Sequence, residues 1–420
     1  MCIRDRLKLA STECAGGWLH YPSISFRSMA RTTTAPAPAV DSAAAWTQAF
    51  AAALSMFTVF GVGYSFGAFF ESITTEFDSG SGATATVFGI TISLSFVAGS
   101  YTGALADRVG PKPVAFLGGV SLFAGLLLTT LVPSIWFAYA CFGLGVGFAI
   151  ACGYVPMLAV VSGWFVEKRA IALGAAVAGI GLGTLVANPV AAAIIDATSW
   201  RWAFVIFAAF AAVSMSLVAA LIKPGPVAEP AAQRQPFGEL WPNDDFRVLY
   251  LSMIATSFGL FLPFVFIASF AEAQGHGSFS AAVLVGLIGG ASVVGRLLIG
   301  GVADRFGAAS VFRATFVVMA FGHLLWLLGS GAYVLLVLFA LVFGTAYGGF
   351  IALSPAVAAQ RFGLKGLGGV LGAWYTAAAF GALLGPPIGG WLIDNVDYWA
   401  AITFAFAATT IGTVLLRGLE

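Results

Sequence analysis

The most unusual charged residue of this sequence is Arg296, which lies in the apolar run GGASVVGRLLIGGVADRFG (residues 289–307). A charge at the centre of a bilayer costs roughly 2.5–3.5 kcal/mol on insertion scales, so such a residue needs a partner, access to water or a function. A guanidinium donates two parallel hydrogen bonds and keeps its proton. Arg296 therefore has the chemistry of a carboxylate-binding residue.

Small residues surround Arg296 along one stripe of the expected helix. Gly289, Ser292, Arg296 and Gly300 follow at helical spacing. Faces of this kind pack against other helices or line a cavity, whereas lipid-facing positions are usually large. The stripe predicts that Arg296 points inward, into a water-filled cleft. The alternative is that the side chain extends toward the membrane surface among lipid-facing neighbours.

Composition assigns the chain to the integral membrane proteins. Of its 420 residues, 60% are hydrophobic and 9% are charged, whereas a soluble domain has about 25% charged residues. Apolar windows long enough to cross a bilayer occur six times between residues 46 and 222 and six times between residues 247 and 416. We expect an all-α membrane protein of twelve transmembrane helices, with a disordered tail (1–45), a six-helix bundle (46–222), a cytoplasmic linker (223–245) and a second six-helix bundle (246–420).

The positive charges predict the orientation. From Met29 onward, thirteen Lys and Arg residues fall on the side of the termini and the linker, and only Arg201 falls on the other side. By the positive-inside rule, both termini are cytoplasmic and the protein is a multi-pass protein of the inner, plasma membrane. We interpret Met1–Ser28 as a non-native extension ahead of a start at Met29, and a targeting peptide is the alternative.

Two pairs of similar segments indicate that the halves are copies. GALADRVG (103–110) aligns with GGVADRFG (300–307) at an offset of 197, and ANPVAAAIID (187–196) aligns with GPPIGGWLID (385–394) at an offset of 198. Both pairs keep the same side of the membrane, which predicts a parallel repeat. Transporters built in this way place the substrate between the halves near the midplane.

These segments also resemble known signatures. GALADRVGPKP (103–113) resembles the loop between the second and third helices of the major facilitator superfamily, and the resemblance implies the major facilitator fold and a conformational latch. The latch residues here are Gly103, Asp107, Arg108, Gly110 and Lys112, with Asp304 and Arg305 in the second copy.

A narrower resemblance is to the monocarboxylate transporter family. GWFVEKRAIALGAAVAGIGLG (163–183) is similar to the signature that opens the fifth helix of that family, and the matching residues are Trp164, Phe165, Lys168, Arg169 and Gly174. Glu167 departs from the pattern, because the family usually has a further basic residue there. The segments 60–77 and 354–394 resemble the bacterial branch that includes the oxalate/formate exchangers.

The resemblance implies a substrate site around Arg296. An arginine at the matching position of the family's eighth helix binds the substrate carboxylate. Tyr154 and Tyr347 resemble positions that hold the carboxylate or a hydroxyl group in bacterial relatives, and Tyr64 and Tyr375 are further candidates. Ser292 stands where the animal transporters have a carboxylate. For each tyrosine, packing with one satisfied hydrogen bond is the alternative interpretation.

The number of positive charges limits the substrate. No other Lys or Arg lies deep within a predicted span, and residues 377–379 are alanines where the oxalate exchangers have a second cation. A dianion facing one guanidinium would keep a poorly compensated charge in a low-dielectric cleft. We therefore expect a substrate with a single carboxylate, such as lactate or pyruvate.

Coupling and alternative functions stay open at this point. Glu272 and Glu71, near the outer ends of the seventh and first helices, are the candidates for proton symport, with facilitated diffusion or anion exchange as alternatives. An oxalate/formate-type exchanger and a drug exporter are alternative functions. An enzyme is disfavoured because the three histidines are scattered and no Cys/His spacing predicts a metal site. We expect no cofactor and no nucleic-acid partner, and a monomer working with its substrate, protons and lipid.

Overall fold

A computed structural model describes residues 40–226, 237–329, 331–363 and 366–419. Met1–Ser28, most of the predicted tail and the centre of the linker lie outside these ranges. In the described ranges the chain is helical and contains no β-strand.

Twelve long apolar helices occur in the described part of the chain, as predicted. Some of them, such as the 29-residue helix Ser278–Phe306 that contains Arg296, are longer than the roughly 20 residues needed to cross the hydrocarbon layer. The helices are α1 (Ala43–Glu76), α2 (Ser81–Val109), α3 (Pro111–Thr129), α4 (Ile135–Trp164), α5 (Arg169–Ala197), α6 (Trp200–Leu221), α7 (Asp244–Ala273), α8 (Ser278–Phe306), α9 (Ala308–Leu328), α10 (Tyr333–Phe362), α11 (Leu367–Asn395) and α12 (Tyr398–Gly418).

Helices α1 and α7 are each interrupted near their middle. α1 breaks at Ser65, whose hydroxyl donates to the carbonyl of Val62 at 2.8 Å. α7 breaks at Phe261, two residues before Pro263, which has no N–H to continue the helical hydrogen bonds. The breaks place Tyr64 and Phe264 at corresponding depths of the two halves.

The helix bounds repeat with the offsets of the sequence. α2 and α8 are both 29 residues long and begin 197 residues apart, and α5 and α11 are both 29 residues long and begin 198 apart. The described residues form one compact unit, so the division of the chain into two separate bundles stays a prediction.

Glycines bring the halves into close contact along two helix pairs, α5 with α8 and α2 with α11. A Cβ added to Gly181 would overlap the backbone carbonyl of Gly289, and a Cβ added to Gly89 would lie 3.0 Å from the carbonyl of Ala382. Small-residue faces allow this approach of backbones within membranes. The distal part of the glycine stripe of α8, around Gly289, is therefore a packing face, which is one of the two roles that its sequence allowed.

The two ends of the helix assembly differ. We call the end with residues 40 and 419 the termini face, and the end with the loops 77–80 and 274–277 the distal face. Hydrogen bonds and ring contacts between the halves concentrate from the level of Arg296 to the distal face, as in the ring contacts Tyr64–Phe264 and Phe70–Phe266. At the termini face, a Cβ added to Gly174, Gly300 or Gly372 would meet no atom within 4 Å. The structure is thus closed at the distal face and looser at the termini face, whose cytoplasmic location stays a prediction.

The signature at the start of α5 contacts the ends of two other helices on the termini face, and we call this group of contacts the joint. The carboxylate of Asp41 accepts backbone N–H groups of Val166, Glu167 and Lys168 at 3.4, 3.2 and 3.1 Å. Trp164 Nε1 donates to the carbonyl of Lys223 at 3.1 Å. The loop between α4 and α5 therefore connects the start of α1 to the end of α6, a structural role that the resemblance did not specify.

Candidate functional site

Arg296 reaches from α8 to the opposite half. Its Nη1 donates to the backbone carbonyl of Val177 in α5 at 2.7 Å. Its Nε and Nη2 are buried and have no hydrogen-bond partner among the described residues. The side chain thus points into the interface between the halves, as the glycine stripe predicted. Buried donors without a partner are rare and costly, so these two atoms call for an acceptor that the described chain does not supply.

Tyrosine hydroxyls from both halves meet beside this guanidinium. Tyr64 Oη and Tyr347 Oη are 3.0 Å apart, and either can be the donor. Arg296 interacts electrostatically with Tyr64, Tyr154 and Tyr347. The structure therefore brings four of the predicted site residues into one region, where they supply hydroxyl groups and one positive charge.

Phe264 also belongs to this region, and it was not identified as a site residue from the sequence. Its ring stacks on Tyr64 with centroids 4.6 Å apart and contacts the ring of Tyr347 at 5.5 Å. The stack covers the hydroxyl pair on the side of α7. Pro263 was the sequence signal that could have identified it. A proline inside the seventh span predicts a helix break there, and the site lies beside the breaks of both α1 and α7.

The other two tyrosines lie at the edge of the region. Tyr154 packs edge-on against Phe60 at 5.5 Å. Tyr375 lies beside Ser354 and contacts Phe96 of the opposite half at 6.2 Å. Both rings are only partly buried, which leaves surface for a ligand. Their role as ligands stays a prediction.

Ser292 is held in helix packing. Its hydroxyl donates to the carbonyl of Gly289 at 2.7 Å, and a Cβ added to Gly348 of α10 would overlap the Ser292 backbone. The side chain is 1% exposed. These contacts account for a small residue at this position, and a substrate-binding role of Ser292 stays a prediction.

The proton-coupling candidates lie together, apart from Arg296. Glu272 of α7 interacts electrostatically with Glu71 of α1 and with Asp196 of α5. These carboxylates come from both halves and lie toward the distal face. Within the described ranges, no three His, Cys, Asp or Glu side chains are arranged to hold a metal ion.

The aspartates of the predicted latch have no side-chain partner among the described residues. Neither Asp107 nor Asp304 makes an ion pair or a side-chain hydrogen bond in the described part of the chain. The guanidinium of Arg305 lies over the ring of Phe306 at 5.5 Å. Both motifs are on the looser termini face, and their role as a latch stays a prediction.

Comparisons with known proteins agree on the class. The chain matches the family model described as Major Facilitator Superfamily over residues 49–309 and 249–419. It is 30% identical over 353 residues to Monocarboxylate transporter 12-B of Danio rerio, covering 74% of this chain and 73% of that protein. It is 28% identical over 411 residues to Monocarboxylate transporter 11 of Homo sapiens, covering 93% and 86%.

A solved structure shows the same fold. A variant of the nucleoside transporter NupG superposes with a TM-score of 0.73 at 15% identity, covering 90% of this chain and 100% of that one.

Proposed function

Because this chain belongs to the Major Facilitator Superfamily and is related to the monocarboxylate transporters, we propose that it is a secondary active transporter of a small monocarboxylate. Lactate and pyruvate are the expected type of substrate, moved across the plasma membrane by alternating access. The observation that carries the proposal is the pair of buried, unpartnered donors on Arg296.

The geometry of the guanidinium favours a carboxylate. Nη1 is used by Val177, so the unpartnered atoms are Nε and Nη2. These two nitrogens form one edge of the guanidinium, and their N–H bonds run parallel at the spacing of two carboxylate oxygens. The contact with Val177 also fixes the rotation of the group. Arg296 therefore presents a prepositioned bidentate edge.

The surroundings favour a single negative charge and a small apolar body. Arg296 is the basic residue of the described helices that lies far from their ends, and Ala377, Ala378 and Ala379 of α11 are buried at 0, 3 and 7% exposure. The rings of Tyr64, Tyr347 and Phe264 form the nearby wall. One carboxylate on Arg296 with a small body against this wall satisfies both charge and packing.

A binding experiment tests the proposal. Pyruvate and lactate binding to the purified protein is measured by calorimetry for the parent, Arg296→Ala, Arg296→Lys and Arg313→Ala. Loss of two charge-assisted hydrogen bonds, at least about 3 kcal/mol, predicts a Kd raised roughly 100-fold or more in Arg296→Ala. Arg296→Lys keeps the positive charge but lacks the two parallel N–H donors, so we expect its Kd to lie between those of the parent and Arg296→Ala. Arg313→Ala, on α9, is the matched control and should bind as the parent does; equal binding by Arg296→Ala contradicts the proposal.

Proton symport is the coupling that we propose, with Glu272 and Glu71 as the carboxylates involved. Their proximity across the halves means that each opening of the distal face changes the environment of both groups, as a proton carrier requires. Uptake into proteoliposomes at a fixed substrate gradient should rise several-fold with an inward proton gradient and should lose this dependence in Glu272→Gln. Uptake that ignores the pH gradient in the parent would favour facilitated diffusion or exchange.

A further inference from the structure

Both copies of the repeat end a helix with an aspartate at the distal face. Asp196 is near the end of α5 and Asp394 near the end of α11, 198 residues apart. The proposed substrate site uses neither residue.

Each aspartate contacts the beginning of a helix in the opposite half. Asp196 Oδ2 accepts a hydrogen bond from the hydroxyl of Ser278, the first residue of α8, at 2.5 Å. Asp394 Oδ2 accepts one from the backbone N–H of Gly82, the second residue of α2, at 3.4 Å. The repeat therefore places a carboxylate at the start of a helix of the opposite half twice, once in each direction across the interface; the donor is a serine hydroxyl in one contact and a backbone N–H in the other.

The start of a helix attracts a carboxylate for two reasons. Its first N–H groups have no partner within the helix, and the helix dipole places partial positive charge there. Neither Gly277 nor Gly80, the residues that precede α8 and α2, supplies a side-chain cap. Asp394 fills this role for α2 by accepting the N–H of Gly82, and Asp196 binds the first side chain of α8 through the hydroxyl of Ser278.

The sequence at the α2–α11 junction leaves room for the contact. A Cβ added to Gly80 would lie 2.7 Å from Asp394 Oδ2, and a Cβ added to Gly390 would lie 2.5 Å from the backbone N of Gly82. Any larger residue at these positions would separate the helix start from the carboxylate. The glycines are thus part of the contact.

The surrounding charges make these helix starts important. Glu272 interacts electrostatically with Glu71 and Asp196, and Tyr398 interacts with Glu71, Glu272 and Asp394. Arg201, the basic residue of this face, is paired with Glu76 at 2.7 Å. Closing the distal face thus brings carboxylates of both halves together, and the helix starts provide compensating positive charge.

We propose that Asp196 and Asp394 are a duplicated pair of clasps that hold the distal face closed, and that both release before this face opens. The inference goes beyond carboxylate transport, because it concerns the equilibrium between conformations and does not depend on the cargo.

The test measures that equilibrium directly. In full-length protein in lipid nanodiscs, with the native cysteines replaced by alanine, spin labels are attached at Leu131→Cys and Val334→Cys. Both positions are highly exposed, at 78 and 77%, and lie on the distal ends of different halves. Pulsed electron spin resonance then gives the populations of short and long label distances, which correspond to a closed and an open distal face.

Removal of a clasp should populate the open distal face. We expect Asp196→Ala and Asp394→Ala each to raise the ratio of open to closed populations about threefold, and the double variant about tenfold, from the usual strength of a charge at a helix start. Ser278→Ala and Gly80→Ala act on the partner side of the two contacts and should shift the ratio in the same direction. Asp196→Ala combined with Ser278→Ala should shift it no further than Asp196→Ala alone.

Asp397→Ala is the matched control. Asp397 caps α12 by accepting the N–H of Ala400 at 2.8 Å, a contact of the same kind at the same face but within one half. It should leave the populations unchanged. The clasps are refuted if Asp397→Ala shifts the ratio as much as Asp394→Ala does, or if Ser278→Ala and Gly80→Ala, the mildest changes, leave the parent populations intact.

Discussion

Arg296 is a partly buried cation whose guanidinium nitrogens differ in their hydrogen bonding. One nitrogen is bound by the carbonyl of Val177, and two have no partner among the described residues. A protein that needed Arg296 only for structure would gain by satisfying all three, because each unsatisfied buried donor costs about 1–3 kcal/mol. At the scale of single residues, the unpartnered edge is the clearest sign of a ligand.

The hydroxyl pair Tyr64–Tyr347 gives a prediction at this scale. In the proposed site a hydroxyl of this pair, 3.0 Å from its partner, binds the substrate. Tyr64→Phe removes one hydroxyl, and loss of one neutral hydrogen bond to the ligand, about 1 kcal/mol, predicts roughly fivefold weaker pyruvate binding in calorimetry. Tyr139→Phe is the control, since that hydroxyl donates to the carbonyl of Ala83 within the first half at 2.9 Å. Equal weakening in both variants would show that general stability, and not the site, had been measured.

Close packing of α8 against α10 depends on glycines at the scale of helices. A Cβ on Gly295 would overlap the backbone of Thr345, whereas a Cβ on Gly300, five residues along the same helix, would meet nothing within 4 Å. The two positions have the same residue type but different neighbours. The close contact at Gly295, next to Arg296, therefore fixes the distance between α8 and α10 at the level of the guanidinium.

Alanine at these two glycines should therefore have different effects on stability. We expect Gly295→Ala to lose about 1–3 kcal/mol, because the backbones must separate. Gly300→Ala should lose nothing, since alanine is the better helix former. Thermal unfolding midpoints of the purified variants measure the difference, and a stable Gly295→Ala would contradict the packing.

The joint at the termini face predicts a pH dependence. Partial burial of Asp41 raises its pKa, but hydrogen bonds from the N–H groups of Lys168, Glu167 and Val166 outweigh this effect and hold the pKa below its usual value. A carboxyl with a lowered pKa stabilises the folded state above its unfolded pKa, and this stabilisation is lost as the pH falls through the folded pKa.

Asp41→Asn should accordingly lower the unfolding midpoint at pH 7. The gap to the parent should narrow as the pH drops below about 4, where the parent carboxylate also becomes neutral. Glu239→Gln, an exposed carboxylate, is the control and should show no gap at either pH. A gap for Asp41→Asn that stays constant from pH 7 to pH 3 would contradict a charged joint.

At the scale of the whole molecule, the halves are closed at the distal face, and the predicted latch motifs lie on the opposite, looser termini face. Asp107 and Asp304 have no ion-pair partner in the described part of the chain. We expect them to engage only when the termini face closes. The clasps and the latches would then act in opposite conformations.

This arrangement predicts a separation of binding from turnover. Asp107→Asn should slow uptake into proteoliposomes about fivefold, the loss expected for one exposed charge contact at a helix end, while the Kd for pyruvate measured on purified protein stays at the parent value. Asp397→Asn is the control and should change neither quantity. A changed Kd in Asp107→Asn would place that residue in the binding equilibrium instead of the latch.

Sequence alone determined the class, the twelve spans, the repeat and the inward direction of Arg296. These follow from local properties: apolar length, offsets between similar segments and helical spacing of small residues. The comparisons confirm the family and the fold. The predicted ligand roles of Arg296, Ser292 and all four tyrosines stay predictions, because a residue type does not determine what its side chain will face.

Only the tertiary structure decided which atoms meet across the halves. Arg296 contacts the carbonyl of Val177, Tyr64 contacts the ring of Phe264, and Asp196 contacts the start of α8. In each pair the two partners are more than 80 residues apart in the chain. Every residue has a backbone carbonyl, and every helix has a free N-terminal turn. No local sequence pattern shows which carbonyl or which helix start a distant side chain will contact, because the packing of helices from both halves determines these contacts.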